Sequence, residues 1–388
     1  MFMISRTDRS VVAEWWWTVD RWLLAVTLLM MCLGVLLSLA ASPAVAERIG
    51  VGEFHFVGRQ LMYMVPSVAV LVITSMATST QARRLALAVA GAGFVMLALT
   101  LVIGAEVKGA TRWITVAGMS IQPSEFVKPA FIVLSAWLFA EATRRPDVPG
   151  NFLSIALFGL FVVLLILQPD IGQTVLVTAV WGMMFFMAGL SWSWIAGFAA
   201  LGSVGVVSAY LFVPHVTKRV DRFFDPGSGD SFQTDTALQA FSNGGLFGLG
   251  PGEGEIKRIL PDAHSDFIFA VVAEEYGILA CMVLVALFAF IVLRGLNRCL
   301  HESDPFRRLA TAGLIGMIGF QAVINMGVNI NLLPAKGMTL PFISYGGSSL
   351  ISMAFAMGLV LAMTRRRPAG ETVGRRWAGP LRAGGAFG

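Results

Sequence analysis

The sequence predicts an all-α polytopic membrane protein of ten transmembrane helices, with a long structured extracytoplasmic loop between the seventh and the eighth. Three observations carry this. Hydrophobic residues make up 56% of the chain and charged residues 13%, against roughly 25% charged in soluble domains. Apolar runs of membrane-spanning length recur, and stretches such as 152–167 do not alternate as barrel strands do. Arginine clusters fall in the connections after the second, fourth and eighth spans and after the last, the positive-inside pattern of a multi-span helical protein. The formal charge of +5 lies largely in short clusters between spans and is no nucleic-acid signal. Cys32, Cys281 and Cys299 have no metal-ligand spacing and read as small hydrophobes.

Residues 1–20 form a cytoplasmic, interfacial segment, in which Arg6 and Arg9 precede Trp15, Trp16 and Trp17. Tryptophans beside basic residues anchor at an interface. Residues 21–365 form the membrane domain. Its spans fall near 21–41, 60–78, 85–105, 125–141, 152–168, 172–189, 192–213, 267–293, 309–331 and 345–363. With a cytoplasmic N-terminus, the pairs Arg83/Arg84, Arg144/Arg145 and Arg307/Arg308 and the run from Arg365 to Arg367 all lie inside. Residues 366–388 are a short polar, glycine-rich cytoplasmic tail, expected to be disordered.

The outward connections carry the chemistry. In 106–130, glycines and prolines occupy turn positions and Trp113 sits at the interface. Pro123 favours helix entry, Ser124 can cap, and Glu125 lies in the first turn. Lys128 shares the face of Glu125, so the two either pair or line an outward cavity. Asp170, Gln173 and Thr174 fall at i, i+3 and i+4, which gives the sixth span a polar face at its outer end; Asp170 alone also suits a helix cap. Within the 214–266 loop, 232–241 suits a short amphipathic helix. Glycines from Gly244 to Gly254 permit tight turns there, and an exposed tether is the plainer reading of them.

Asp266 stands at the outer end of the eighth span. A half-buried carboxylate beside a cavity can serve as a base; a solvated helix-start carboxylate is the alternative. His264 offers a local donor, but the two make neither a metal site nor a triad. Glu274 and Glu275 lie roughly 12–14 Å further along the helix. At least one faces the bundle interior, because lipid exposure is expensive. Asn325 and Asn329 place amides at i and i+4 on the ninth span. The following 332–351 stretch has broken-helix composition: Pro334 and Pro341 flank Lys336, and Gly346, Gly347, Ser348 and Ser349 open the last span. Four polar stretches thus meet on the outer side. One site there, with basic groups for a head and an apolar groove for a tail, suits a lipid-borne anionic substrate. A proton-coupled transporter wants its charges near mid-membrane, and Glu274 and Glu275 keep that reading open.

The motifs are GATRWI at 109–114, IQPSEFVK at 121–128, QPDIGQT at 168–174, LPDAHSDF at 260–267, AEEYG at 273–277 and LPAKGMTLPFISYGGSS at 333–349. In this order, in a ten-span chain, they resemble the SEDS family (shape, elongation, division and sporulation) over about residues 20–365. The resemblance implies a peptidoglycan glycosyltransferase of the bacterial inner membrane that polymerises lipid II into β-1,4 glycan strands and releases undecaprenyl pyrophosphate. Asp266 matches the family's catalytic aspartate, expected to deprotonate the acceptor 4-hydroxyl. Arg112, Lys128 and Lys336 are expected to offset pyrophosphate charge, with a divalent cation (Mg2+ or Mn2+) and no organic cofactor. Glu125, Asp170, Gln173, His264, Ser348 and Ser349 are further expected substrate-binding residues. Trp113, Glu274, Glu275, Asn329, Pro341 and Gly346 are expected structural or coupling residues. Ser265 departs from the commoner threonine and keeps the hydroxyl. Lys336 followed by GMTLP resembles the division branch. That implies the division septum, a class B penicillin-binding protein as transpeptidase partner, and other divisome membrane proteins. A lipid II flippase and a non-catalytic scaffold are the alternatives.

Overall fold

The computed structural model describes residues 10–365, apart from 108–109, 117–118, 190–191, 213–216, 218–220, 222–231 and 335–336. Lys336 and the expected tail therefore lie outside the described residues. A short helix, α1 (Val11–Thr18), precedes the bundle. Among the described residues, eight helices are long and apolar enough to cross a membrane. Seven of them are α2 (Arg21–Ile49), α3 (His55–Met76), α4 (Ser79–Ile103), α5 (Pro123–Arg144), α6 (Gly150–Leu167), α12 (Pro305–Asn329) and α13 (Gly347–Thr364). The eighth, α11 (Ile268–Leu300), is interrupted. The other two predicted spans coincide with α7 (Ile171–Met187), 17 residues long, and α8 (Trp192–Phe212). Between them and α11 come α9 (Phe232–Gly244) and α10 (Ile256–Ile259).

Local chemistry sets several boundaries. Thr78 and Gln81 form a reciprocal capping box at the start of α4. Asp304 caps α12, whose first residue is Pro305. Gly50 ends α2 in left-handed backbone at φ 72.

The centre of the bundle is α5, α12 and α13, whose apolar windows are 67%, 67% and 83% buried, against 22–28% for α3, α4, α6 and α11. Small residues let the helices approach. A Cβ on Gly313 would stand 2.6 Å from a methyl of Ile132, and one on Gly358 2.9 Å from the Leu71 carbonyl. At the end of the bundle that holds α1, Asp20 accepts from Arg294 Nε at 2.9 Å and Arg298 Nε at 2.7 Å. Arg365 donates there to Thr18 Oγ1 and the Met76 carbonyl. These bonds tie the first helices to the far ends of α11 and α13.

Four findings correct the sequence reading. Residues expected as turns form an antiparallel sheet of β1 (Ala105–Val107), β2 (Ala110–Val116) and β3 (Met119–Ile121), in that order. The β-branched Thr111, Ile114, Thr115 and Val116 favour it. Ser124 is not the cap of α5: Gln122 holds that position, without a side-chain bond, and Ser124 lies inside the first turn. The eighth span is broken at Gly277, where φ is 78 and ψ 176. The glycine-rich stretch is no free tether, because it docks into that break.

Candidate active site

Asp266 lies half-buried in the turn that enters α11, and the backbone around it is held from outside. Three successive carbonyls are fixed. The Tyr345 N–H donates to His264 O at 3.0 Å, and Ser344 Oγ donates to Ser265 O. Asn325 Nδ2 and Asn329 Nδ2 both donate to Asp266 O, at 2.9 and 3.0 Å. The stretch after Gly337 runs past the carboxylate: a Cβ on Gly337, at φ 64, would stand 3.5 Å from Asp266 Oδ2. Glycine permits both that backbone and that approach. His264 packs between Phe56 and Tyr345, with ring centroids 4.5 and 5.2 Å away. Burial pushes the Tyr345 phenol up, opposed by Arg59. Pro341 is buried in the same turn, and Gly346 immediately precedes α13 in extended backbone.

A second group of expected residues forms one buried network. Lys128 Nζ donates to Glu125 Oε1 at 2.9 Å and to Gln321 Oε1 at 3.1 Å. Gln173 Nε2 donates to the same Glu125 oxygen at 2.8 Å. Asp170 caps α7 by accepting from the Gln173 N–H, and Arg112 Nε stands 3.6 Å from its other oxygen. Burial pushes the Asp170 carboxyl above its ordinary value, with Arg112 the main opposing influence. Arg112 also donates to Pro169 O. Ser348 Oγ accepts from the Gln122 N–H, while Ser349 Oγ shares a hydrogen bond with Thr339 Oγ1 at 2.8 Å. Trp113 lies on β2, half-buried, paired with Ala105. Of the two readings of Glu125 and Lys128, the structure displays the ion pair. Lys128 is 1% exposed, among the most enclosed large side chains of the protein.

Glu274 and Glu275 are both buried, and both hold the glycine-rich loop. Glu274 Oε1 accepts from the N–H groups of Glu255 and Ile256, each at 2.9 Å. Glu275 pairs with Lys257, which also donates to Ala40 O and Gly252 O. The break at Gly277 is repaired by the same loop. Leu249 N–H donates to Glu274 O at 2.9 Å and Gly250 N–H to Glu275 O at 3.0 Å, while Ile278 N–H donates back to Gly245 O at 2.9 Å. Irregular backbone survives at membrane depth only when protein satisfies it in this way. A cleft of about 770 Å³ between α2 and α11, lined by Leu33, Leu37, Val272 and Leu284, opens beside the Lys257–Glu275 pair rather than at Asp266.

Sequence reasoning missed Gln321 and Lys257. Gln321 lies four residues before Asn325, so the i, i+4 spacing of the amides could have found it, whereas a lysine in a charged loop gives no periodic signal. Among the described residues no three His, Cys, Asp or Glu side chains gather as a metal cluster. A hydrated Mg2+ held through one carboxylate and substrate phosphates needs no such cluster, and the Asp266 carboxylate suits that mode.

The arrangement can be set beside known proteins. A family model described as cell cycle protein, grouping FtsW, RodA and SpoVE, matches residues 20–368. The chain belongs to this family. The probable peptidoglycan glycosyltransferase FtsW of Caulobacter vibrioides is 49% identical over 366 residues, covering 94% of each chain. Its counterpart in Geobacter metallireducens is 34% identical over 355 residues, covering 89% of this chain and 95% of the relative. Among solved structures, a chain of a peptidoglycan synthase complex described as coordinating polymerization and crosslinking superposes with a TM-score of 0.75 at 28% identity, over 89% of this chain and 97% of that one. The rod shape determining protein RodA of Thermus thermophilus gives 0.67 at 28% identity, over 90% and 97%.

Proposed function

We propose that this chain is a peptidoglycan glycosyltransferase that polymerises lipid II during cell division at the outer face of the bacterial inner membrane. The observation that carries the proposal is Asp266: a half-buried carboxylate on a turn whose carbonyls at 264, 265 and 266 are pinned, at the end of the bundle where the family's motifs meet. The names of its relatives support the reaction class.

In this reading, the 4-hydroxyl of the acceptor sugar is held against the Asp266 carboxylate, which takes its proton. The oxygen attacks the anomeric carbon of the donor chain in line, forming the β-1,4 bond. The α bond to pyrophosphate breaks, and undecaprenyl pyrophosphate leaves with the electron pair. One base and a stabilised leaving group suffice for such an inversion. A divalent cation, when bound, would shield the pyrophosphate. Asp266 would hold it, and Lys336 and the solvent-facing part of Arg112 would add cationic help. Glu125, Lys128, Asp170 and Gln173 serve as the rigid floor of the site, because Glu125 is paired with Lys128 and bonded by the Gln173 amide, and Asp170 is paired with Arg112. Glu274 and Glu275 anchor the loop, which leaves them little of the freedom that a transporter's carboxylates need.

We assign the membrane domain ten spans with both termini cytoplasmic, and a class B penicillin-binding protein as transpeptidase partner. The synthase complex that the fold resembles supports such a partnership. The test is direct: the purified chain, alone and with its cognate transpeptidase, is incubated with lipid II. Glycan strands with release of undecaprenyl pyrophosphate are expected. Lipid II moved across vesicles without polymer formation favours the flippase reading instead.

A further inference from the structure

We infer that Gln321, Asn325 and Asn329 form an amide ladder on α12 that positions the Asp266 turn, with Asn325 as the residue through which it acts. The inference rests on Asp266 being the base. The three residues recur every fourth position, so they form one stripe along the helix. All are buried, at 0%, 2% and 0% exposure. Buried amides in an apolar bundle are retained where their bonds are met on both sides.

Two of the amides meet at Asp266 O, and each also reaches a part of the site that the others do not. Asn329 Oδ1 accepts from the Ala270 N–H at 3.1 Å, a first-turn donor that it shares with Phe267 O. Its Nδ2 donates to Asp266 O. Asn325 Nδ2 donates both to Asp266 O at 2.9 Å and to Met338 O at 2.6 Å. A single amide therefore sets the spacing between the aspartate and the stretch that runs past its carboxylate. Gln321 Nε2 donates to Thr339 O at 3.0 Å, and its Oε1 accepts from Lys128. The ladder thus links the buried Glu125–Lys128 pair to the Asp266 turn. Neither a carboxylate nor an alkyl side chain at 325 can donate to these carbonyls: Met338 O loses this donor, and Asp266 O is left with Asn329. Neither change removes a group that would touch substrate.

A displacement of about 1 Å at a reacting group costs on the order of 10²-fold in rate. Asn325→Leu is accordingly expected to lower kcat for lipid II polymerisation by about 10²-fold, with KM within a factor of two. Asn325→Asp, which keeps the shape and loses the donor, is expected to do the same and covers the case in which the leucine variant does not fold. Both are assayed with the partner bound, after partner retention and the unfolding midpoint have been measured. Unchanged kcat in a folded variant overturns the inference. So does a rise in KM matching the fall in kcat with a lowered midpoint, which marks a merely structural role. An inert wild-type chain would instead strike at the glycosyltransferase reading itself.

Discussion

Lys128 and Glu125 form a buried ion pair: Nζ lies 2.9 Å from Oε1, with side-chain exposures of 0% and 4%. A lysine so enclosed is held by its partner, since two charges out of water are stable only while each has the other. Removing one partner leaves an uncompensated buried charge.

Lys128→Met is therefore expected to destabilise the protein by about 3–5 kcal/mol. Lys128→Met combined with Glu125→Leu is expected to cost less than the single change. The unfolding midpoint of each variant in detergent checks this. A single variant as stable as wild type would show the pair to be solvated.

Gly277 is a second rigid point. Its backbone sits at φ 78, and a Cβ there would stand 2.3 Å from Leu246 O. Gly277→Ala is expected to expel the loop at 245–250 from the helix break, at a cost of at least about 1–3 kcal/mol for the backbone conformation alone. Limited proteolysis reads this as new cleavage between Gly245 and Glu255. An unchanged digestion pattern with an unchanged midpoint would contradict the docked-loop account.

What could be read from the sequence follows physical range. The apolar spans, the capping aspartate at 170 and the facing of Glu125 and Lys128 are local patterns of period or spacing; eight of the spans, the cap and the pair appear among the described residues. The burial of at least one of Glu274 and Glu275 followed from the cost of charge in lipid; that both are buried, and their partners, did not. Lys257 lies 18 residues before Glu275 in the chain, across a loop. The break at Gly277 was hidden because a single glycine inside an apolar helical pattern is tolerated, and the apolar run resumes directly after it. Gln321 meets Lys128 from 193 residues away, and no window of sequence reports such a contact.

Asp20 gives a pH signature. Burial works to raise its carboxyl, but bonds from Arg294 and Arg298, with help from the Leu23 N–H, leave it below the ordinary value of 3.8. A folded value below the unfolded one means stability that is present above about pH 4 and lost as pH falls through the folded value. Asp20→Asn is expected to lower the unfolding midpoint at pH 7, with the gap to wild type narrowing below about pH 4. A gap that stays constant over that range would exclude the arginine clamp as its source.

The central claim is that Asp266 takes the proton from the acceptor hydroxyl, and the most direct measurement is lipid II polymerisation by Asp266→Asn with its partner bound. The variant is expected to fold, retain the partner and form no detectable glycan strands under conditions in which wild type completes the reaction, since Asn keeps the shape and loses the base. Polymerisation by Asp266→Asn at the wild-type rate would contradict the account.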